Sequence, residues 1–250
     1  MPSPFAAERL PDGRRRYSRS TVVARRRLLL GVLAAGAAAA GAGQLRGGTT
    51  AGADPVQLPS TSAAGSPWVV VNKRLPIDPP GYAPAALVEV AGKPVAAVVA
   101  PHLGALLAAA RAEGVELPIT SGYRSVEHQR AVHERAVARD GLAAAERVSA
   151  RPGHSEHQTG LAVDFGSATS PGCALQGCYQ DTPEARWLAA RAGEFGFLLR
   201  YPADRTAVTG YDFEPWHYRW VGTDLLERMR RRGTRTLEEH FDLPGGPYPA

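Results

Sequence analysis

Cysteine is scarce in this chain, with only Cys173 and Cys178 among 250 residues. Their spacing matches no CxxC pair, which makes a thiolate metal site a poor fit. Outside the cytoplasm such a pair is expected to close a local disulfide, and because the enclosed loop is short, the bond should pin a surface loop rather than support the whole fold. The chain also lacks a GxSxG motif around Ser121 or Ser155, which argues against a serine nucleophile.

An excess of positive charge is also absent from most of the chain, although the net charge is +5. Residues 1–27 carry eight arginines against Glu8 and Asp12, a balance of +6, whereas the remainder holds 21 basic and 22 acidic residues, a balance of −1. No basic stripe interleaved with aromatic residues is found. We therefore expect no nucleic-acid partner.

A long apolar run is missing as well, since the run 28–43 has 16 residues where a comfortable membrane span requires roughly 20. Three arginines at 25–27 precede it, and small residues follow, with a candidate cleavage site at 40–42. This pattern predicts an export signal over residues 1–43, and its paired arginines resemble a twin-arginine signal. An uncleaved signal anchor stays open as the alternative. We expect an exported protein of the cell envelope that contacts the membrane only through this segment, if the segment is retained.

Composition divides the rest of the chain into a linker, a domain and a tail. Residues 44–67 are rich in Gly, Ser, Thr, Ala and Pro, which predicts a flexible linker. The folded domain is expected over 68–243, without internal repeats, and residues 244–250 are expected to form a C-terminal tail.

Helical and strand patterns are mixed in the predicted domain, without a regular βαβ repeat. Apolar residues at three- and four-residue spacing predict helices, and short β-branched and aromatic runs predict strands. Helices are predicted over 99–113, over 126–139 and after the Thr182 cap with Pro183, and strands over 117–120, 161–165, 197–201 and 216–220. The pattern predicts an α+β fold with a small, mostly antiparallel sheet flanked by helices.

His157, Asp164 and His217 are the candidate metal ligands. Two imidazoles and one carboxylate make a three-ligand set that leaves zinc one open position for water. Asp164 stands in an apolar strand, where an uncompensated charge is costly and a metal would compensate it. Glu214, three residues before His217, is where a proton acceptor for that water would be wanted. Pro215 and the aromatic residues beside it favour extended chain over the helical HExxH arrangement of other zinc proteases.

Each ligand candidate has a structural alternative when taken singly. His157 would also suit a surface loop, Asp164 a capped buried carboxylate, and His217 a packed strand position. Their joint occurrence with Glu214 favours the metal site. His154 is interpreted as a group beside the ligands or the substrate, because the ligand set is full without it. The remaining histidines are expected to be solvated or hydrogen-bonded structural residues: His102, His128, His133 and His240.

Three segments resemble the signatures of VanY-type D-alanyl-D-alanine carboxypeptidases: SGYRS at 121–125, RPGHSEHQTGLAVD at 151–164 and EPWHYR at 214–219. That family shares a zinc-site fold with VanX-type dipeptidases, lysostaphin-type endopeptidases and the Hedgehog signalling domain. The resemblance covers about residues 68–243. A Hedgehog/D-Ala-D-Ala-peptidase-like zinc site is therefore implied for the α+β domain.

The resemblance also implies roles for individual residues. One Zn²⁺ ion would be held by His157, Asp164 and His217, with Glu214 as the catalytic base. Arg124 would contact the scissile carbonyl or its oxyanion. The substrate-side candidates lie in or near the same motifs: Ser155, Gln129 and Trp216.

The expected activity is removal of the C-terminal D-alanine from peptidoglycan stem peptides by a monomeric zinc carboxypeptidase. One alternative keeps the chemistry and changes the bond, giving an L,D-carboxypeptidase or a cell-wall endopeptidase. A second alternative is a non-catalytic cell-wall binding domain that retains the zinc fold. Glu214 and Arg124 count against the second, because binding alone would not require a base beside the metal. The sequence leaves the choice of bond open.

Overall fold

The structure is a computed structural model, and it describes Ala7–Arg9, Arg15–Tyr17 and residues 58–249. The chain divides into two units, Met1–Asp54 and Pro55–Ala250. In the first unit, strands β1 (Ala7–Arg9) and β2 (Arg15–Tyr17) pair antiparallel. The run 28–43 and the linker residues 44–57 lie outside the described residues, so the predictions of a signal and a linker stay predictions. No helix among the described residues is long and apolar enough to cross a membrane.

A β-hairpin lies near the start of the second unit. Strands β3 (Leu87–Val90) and β4 (Lys93–Ala96) pair antiparallel in register. Ala91 and Gly92 join them with φ angles of 49° and 74°, and a two-residue turn with positive φ at both positions matches the right-handed twist of the strands it connects. The hairpin was not predicted from the sequence.

A four-stranded antiparallel sheet forms the centre of this unit. Its order is β5-β6-β8-β7, and its strands are β5 (Ile119–Ser121), β6 (Ala162–Phe165), β7 (Phe197–Leu199) and β8 (His217–Trp220). The register pairs Asp164 with His217 on one side and with Ser121 on the other. Three motifs that are distant in the sequence therefore meet at one place in the sheet.

The helices surround this sheet and confirm the α+β prediction. They are α1 (Ala100–Ala112), α2 (Val126–Asp140), α3 (Leu142–Val148), α4 (Pro183–Arg191), α5 (Thr206–Thr209), α6 (Thr223–Arg232) and α7 (Leu237–Phe241). The Ser125 side chain caps α2 by accepting from the His128 amide, and Thr182 caps α4 by accepting from Ala185, as side-chain oxygens at N-caps do. The three helices predicted from the sequence are therefore present.

Apolar side chains of the sheet and of the helices make the core. Leu103, Leu106 and Ala110 on α1 pack in one cluster with Val163 and Phe165 of β6. All four residues of β6 are buried, which explains why this strand reads as an apolar run. The strand that carries Asp164 is thus held rigidly in the interior.

The ends of the second unit pack on the domain as well. Ala64, within the segment predicted as linker, is buried in the larger core cluster, and the Pro67 carbonyl accepts a hydrogen bond from Arg219 at 3.1 Å. In the predicted C-terminal tail, the Gly246 amide donates to Val208 at 2.8 Å. The Tyr248 hydroxyl accepts from the Arg151 amide at 2.7 Å. Ordered contacts thus extend beyond 68–243 on both sides.

Candidate active site

His157, Asp164 and His217 converge, with one ligand atom from each lying within 4.8 Å of the others. His157 Nε2 lies 3.1 Å from Asp164 Oδ2, and His217 Nδ1 lies 3.0 Å from Asp164 Oδ1. The two imidazole rings stand nearly perpendicular, at 89°. All three side chains are buried. The arrangement predicted from the spacing is therefore present as a compact donor set.

Two glycines allow the backbone to bring His157 to this place. Gly160 ends the short 3₁₀ helix Glu156–Thr159 with φ of 67°, and a Cβ there would lie 2.8 Å from the Ala96 amide nitrogen. At Gly122 a Cβ would lie 2.3 Å from the Pro94 carbonyl oxygen. A side chain at either position would therefore push the hairpin away from the site.

The backbone and a buried carboxylate orient the two imidazoles. His157 Nδ1 donates to the Gly122 carbonyl at 2.7 Å, which leaves Nε2 facing Asp164. His217 Nε2 lies 3.5 Å from Glu156 Oε2, and neither atom has a hydrogen-bond partner within the described part of the chain. Glu156 Oε1 accepts from Arg200 at 2.8 Å and from Arg219 at 3.0 Å. Carboxylates behind metal-binding histidines commonly fix the tautomer and the ring orientation.

The electrostatics of the triad suit a divalent cation. Burial opposes ionisation of Asp164, but the neighbouring His157 and His217 outweigh it and hold the pKa of that carboxyl well below its usual range. Burial would likewise lower the pKa of His217, yet Asp164 and Glu156 raise it to about 9. One carboxylate oxygen and two imidazole nitrogens lie within 4.8 Å of one another, and this donor set fits zinc with an open position once the metal displaces the His217 proton.

Glu214 stands at the edge of the triad, with Oε2 3.7 Å from His217 Nδ1. The His217 amide donates to the Glu214 carbonyl at 3.1 Å, closing the turn that contains Pro215. Glu214 is buried, and burial raises its pKa to about 8, with His217 opposing and Asp164 adding to the rise. A carboxylate with a raised pKa can accept and return a proton near neutral pH.

Arg124 approaches the triad from the other side. Its Nη2 lies 3.8 Å from Asp164 Oδ2 and donates to Ser121 at 2.9 Å, while its Nη1 donates to Gln129 Oε1 at 2.6 Å. Gln129 Nε2 donates in turn to the Ala150 carbonyl at 2.7 Å. The guanidinium is therefore fixed by helix α2 and largely buried, with one edge facing the donor set.

A cavity of about 590 Å³ is lined by His157, Asp164 and His217. Beside the triad it is lined by the residues that the resemblance assigned to catalysis and substrate contact: Glu214, Arg124, Ser155, Gln129 and Trp216. His154 hydrogen-bonds through Nδ1 to the Asn72 carbonyl at 2.8 Å and packs edge-on against Tyr248. The sequence predicted that His154 lies beside the ligands or the substrate, but it is not among the residues that line the cavity, whereas every other ligand, catalytic and substrate-side candidate is.

The two cysteines form the expected disulfide, with their Cα atoms 5.4 Å apart. The loop that they close supplies Leu175, Gln176 and Gly177 to the cavity wall. The bond was predicted from the sequence to pin a surface loop, and the contact of this loop with the cleft was not predicted. Glu156 and its arginine partners were also missed, because nothing local in the sequence marks a glutamate as buried.

Comparison with known proteins places this geometry in a family. A family model described as VanY, D-alanyl-D-alanine carboxypeptidase, matches residues 93–223. The chain is 36% identical over 185 residues to a D-alanyl-D-alanine carboxypeptidase of Enterococcus faecalis, a match that covers 70% of this chain and 65% of the relative. It is 40% identical over 134 residues to a Bacillus subtilis relative, covering 54% of this chain and 48% of that protein. The chain therefore spans between about half and two thirds of the length of these curated relatives.

Solved structures share the fold as well. The LdcB LD-carboxypeptidase aligns with a TM-score of 0.64 and 33% identity, over 73% of this chain and 89% of that chain. A mutant of the vancomycin-resistance D,D-pentapeptidase VanY, in complex with Zn(II), aligns with a TM-score of 0.59 and 36% identity, over 69% of this chain and 97% of that chain. Since the family model spans more than half of the 250 residues, this protein belongs to the VanY family of D-alanyl-D-alanine carboxypeptidases.

Proposed function

We propose that this protein is an exported zinc carboxypeptidase that removes the terminal D-alanine from peptidoglycan stem peptides. The observation that carries the proposal is the convergence of Glu214 and Arg124 on the His157, Asp164 and His217 donor set inside one cavity. A binding domain would need neither a base nor a fixed guanidinium at that point. The similarity to D-alanyl-D-alanine carboxypeptidases supports the substrate class, and that substrate supports a location in the cell envelope.

A single zinc ion would be held by His157 Nε2, the Asp164 carboxylate and His217 Nδ1. Bound there, zinc would supply a water whose pKa is lowered toward about 7 and a positive charge for the scissile carbonyl. Glu214 accepts a proton from the attacking water and delivers it to the alanine amine as the C–N bond breaks. The proton thus passes from the water oxygen through the Glu214 carboxylate to the amine nitrogen, and the carboxylate is regenerated at the end.

Arg124 stabilises the negative charge that develops on the carbonyl oxygen. Its guanidinium stays charged throughout the reaction and is already held by Ser121 and Gln129, so little reorganisation is needed. Both ends of the Gln129 amide are used by Arg124 and Ala150, so Gln129 acts as a positioning residue. Ser155 and Trp216 are the proposed peptide contacts in the cavity.

An L,D-carboxypeptidase is the second candidate. The similarity to the LdcB LD-carboxypeptidase, at a TM-score of 0.64, supports it. Both reactions need the same base, metal and oxyanion contact, and they differ in the residue that precedes the scissile bond. The choice between them therefore depends on the substrate test.

The deciding experiment incubates the full chain, loaded with zinc, with stem pentapeptide and tetrapeptide and follows alanine release by mass spectrometry. Loss of alanine from the pentapeptide supports the proposal, and loss from the tetrapeptide alone transfers the activity to the L,D class. Zinc-loaded protein that cleaves neither peptide would overturn the proposed function.

Glu214→Gln is the matched control, because glutamine keeps the shape of the side chain and cannot act as a base. We expect this variant to bind zinc as wild type does and to lose about two to four orders of magnitude in kcat. Zinc content by elemental analysis, measured beside kcat, separates the two effects. A zinc-loaded variant with full activity would remove Glu214 as the base.

A further inference from the structure

The second half of helix α2 forms a cationic wall of the cavity that the proposed mechanism does not use. Arg135 and Arg139 are one helical turn apart, and both line the cavity that contains the donor set. Gln129, Val132 and Ala136 line it too. Positions three and four apart share one face of a helix, so a single face of α2 runs along the cavity from Gln129, which accepts from Arg124, to these two arginines.

The two arginines differ in their ion pairs within the described part of the chain: Arg135 has none, and Arg139 has one exposed pair. Among the described residues, Arg135 has no carboxylate within 4.0 Å, whereas Arg124 and other arginines around it have one. Arg139 donates three hydrogen bonds of 2.6–3.1 Å to the adjacent Asp140 carboxylate, in a pair that leaves 70% of the arginine side chain exposed. Exposed ion pairs of this kind contribute little to stability, and the arginine can readily exchange its partner for another anion.

Acidic groups elsewhere in the cavity already have partners. Asp212 is paired with Arg147 at 2.9 Å, and Glu156 is held by Arg200 and Arg219. Asp164 and Glu214 belong to the metal end of the cavity. Arg135 is therefore the uncompensated positive charge on the α2 wall, with the exposed Arg139–Asp140 pair one turn farther, and it would attract an anionic group of the ligand.

The helix also sets the distance at which that group is expected. Arg135 is six residues beyond Gln129 and Arg139 ten, which places them about 9 Å and about 15 Å farther along the axis at a rise of about 1.5 Å per residue. An extended peptide covers about 3.3–3.6 Å per residue. A group that reaches Arg135 would thus lie two to three residues from the one beside Gln129 and Arg124.

We propose that Arg135, supported by Arg139 one turn farther along α2, forms an anion subsite that binds a free carboxylate of the stem peptide, two to three residues on the N-terminal side of the scissile bond. The proposal rests on the proposed function, because it assumes a peptide in this cavity. It makes the amidation state of the stem a determinant of specificity. A peptide in which this carboxylate is a carboxamide would lose the charge-assisted hydrogen bonds that arginine provides.

The test compares two synthetic pentapeptides that end in D-Ala-D-Ala and differ only at the second residue, γ-linked D-glutamate or D-isoglutamine. Affinity is measured on full-length Glu214→Gln, and kcat/KM on otherwise wild-type protein. The double substitution Arg135→Gln/Arg139→Gln is placed in both backgrounds. Arg130→Gln is the matched control, since Arg130 is on the same helix, is exposed, and is not among the residues that line the cavity.

We expect the carboxylate peptide to bind roughly tenfold to hundredfold more tightly than the amide, and the double substitution to remove that preference while leaving amide affinity within about twofold. The Arg130→Gln variant should keep the preference for the carboxylate peptide. Equal affinity of both peptides for the Glu214→Gln protein would overturn the subsite. Discrimination in affinity without cleavage by wild type would support the subsite and overturn only the proposed function.

Discussion

His157 makes the most direct test of the metal site at the level of single residues. Its Nε2 faces Asp164 while Nδ1 is bonded to the Gly122 carbonyl, so no other group can replace the nitrogen it supplies. We predict that His157→Ala loses zinc on dialysis, measured as metal per chain. His102→Ala is the control, because His102 packs on Trp220 outside the donor set, and it should retain zinc. Stoichiometric zinc in His157→Ala would contradict the ligand assignment.

Glu156 should affect zinc affinity although it is not a ligand. Its carboxylate lies behind His217 and holds two buried arginines. We predict that Glu156→Gln weakens zinc binding about tenfold to hundredfold, because the imidazole loses the group that orients it. The measurement is a chelator competition for zinc, combined with urea unfolding.

Glu238→Gln is the matched control for Glu156→Gln. Glu238 is also buried and pairs with Arg200 at 2.6 Å, but its carboxylate binds Arg200 and Asn72 rather than His217. Loss of a partner from a buried ion pair costs about 3–5 kcal/mol, so both variants should be less stable. If both lose zinc affinity equally, the role of Glu156 is only structural.

The residues of the donor set could be predicted from the sequence because they occur in short motifs with fixed spacing. Glu156 stands inside the same motif, yet its role depends on Arg200 and Arg219, which are 44 and 63 residues away in the sequence. No local pattern reports such pairings. The sequence therefore identified the residues of the candidate donor set and missed the groups that support them.

At the level of elements, α4 stabilises the loop that follows β6. Glu184 in its first turn accepts hydrogen bonds from the Ala168 and Thr169 amides and from the hydroxyls of Ser167 and Thr169, at 2.9–3.0 Å. Burial alone would raise the pKa of Glu184, but these hydrogen bonds outweigh it and hold the pKa below its ordinary value. The ionised glutamate thus connects the helix to the strand that carries Asp164.

This arrangement predicts a stability contribution that disappears in acid. Because the folded-state pKa of Glu184 is depressed, the unfolded chain binds the proton first as pH falls. The stabilisation by Glu184 is therefore fully present above the unfolded-state pKa of about 4.3 and is lost as pH falls through the folded-state pKa. Glu184→Gln should cost about 1–3 kcal/mol at pH 7, measured by urea unfolding. The difference from wild type should shrink at pH 3; a difference that is constant with pH would exclude this origin.

The hairpin β3–β4 shows why some elements were not predicted. Its turn is Ala91-Gly92 rather than the Asn-Gly or Asp-Gly that marks such turns, and Leu87 and Val88 leave 41% and 43% of their surface exposed. A strand with exposed apolar residues lacks the alternation on which strand prediction depends. The hairpin nonetheless touches the site, since Pro94 packs on Gly122.

At the scale of the molecule, the register of the sheet explains how the site is assembled. Asp164 is directly opposite both His217 and Ser121, so the three motifs meet because β6 lies between β5 and β8. The sequence predicted the strands individually but contains no signal for their order. The cleft likewise depends on α2 and the disulfide loop, whose approach to the sheet is a tertiary property.

We expect the bond between Cys173 and Cys178 to make substrate binding depend on the redox state of the surroundings. It constrains Leu175, Gln176 and Gly177 in the cleft wall, while the metal donors stand on other elements. The double substitution Cys173→Ser/Cys178→Ser, or reduction by a phosphine, should therefore raise KM several-fold. Zinc content and melting temperature should stay near those of wild type. An unchanged KM would contradict this role of the loop. A protein kept in a reducing compartment would then fold and load its metal yet capture peptide poorly, and would become an efficient enzyme only where thiols are oxidised.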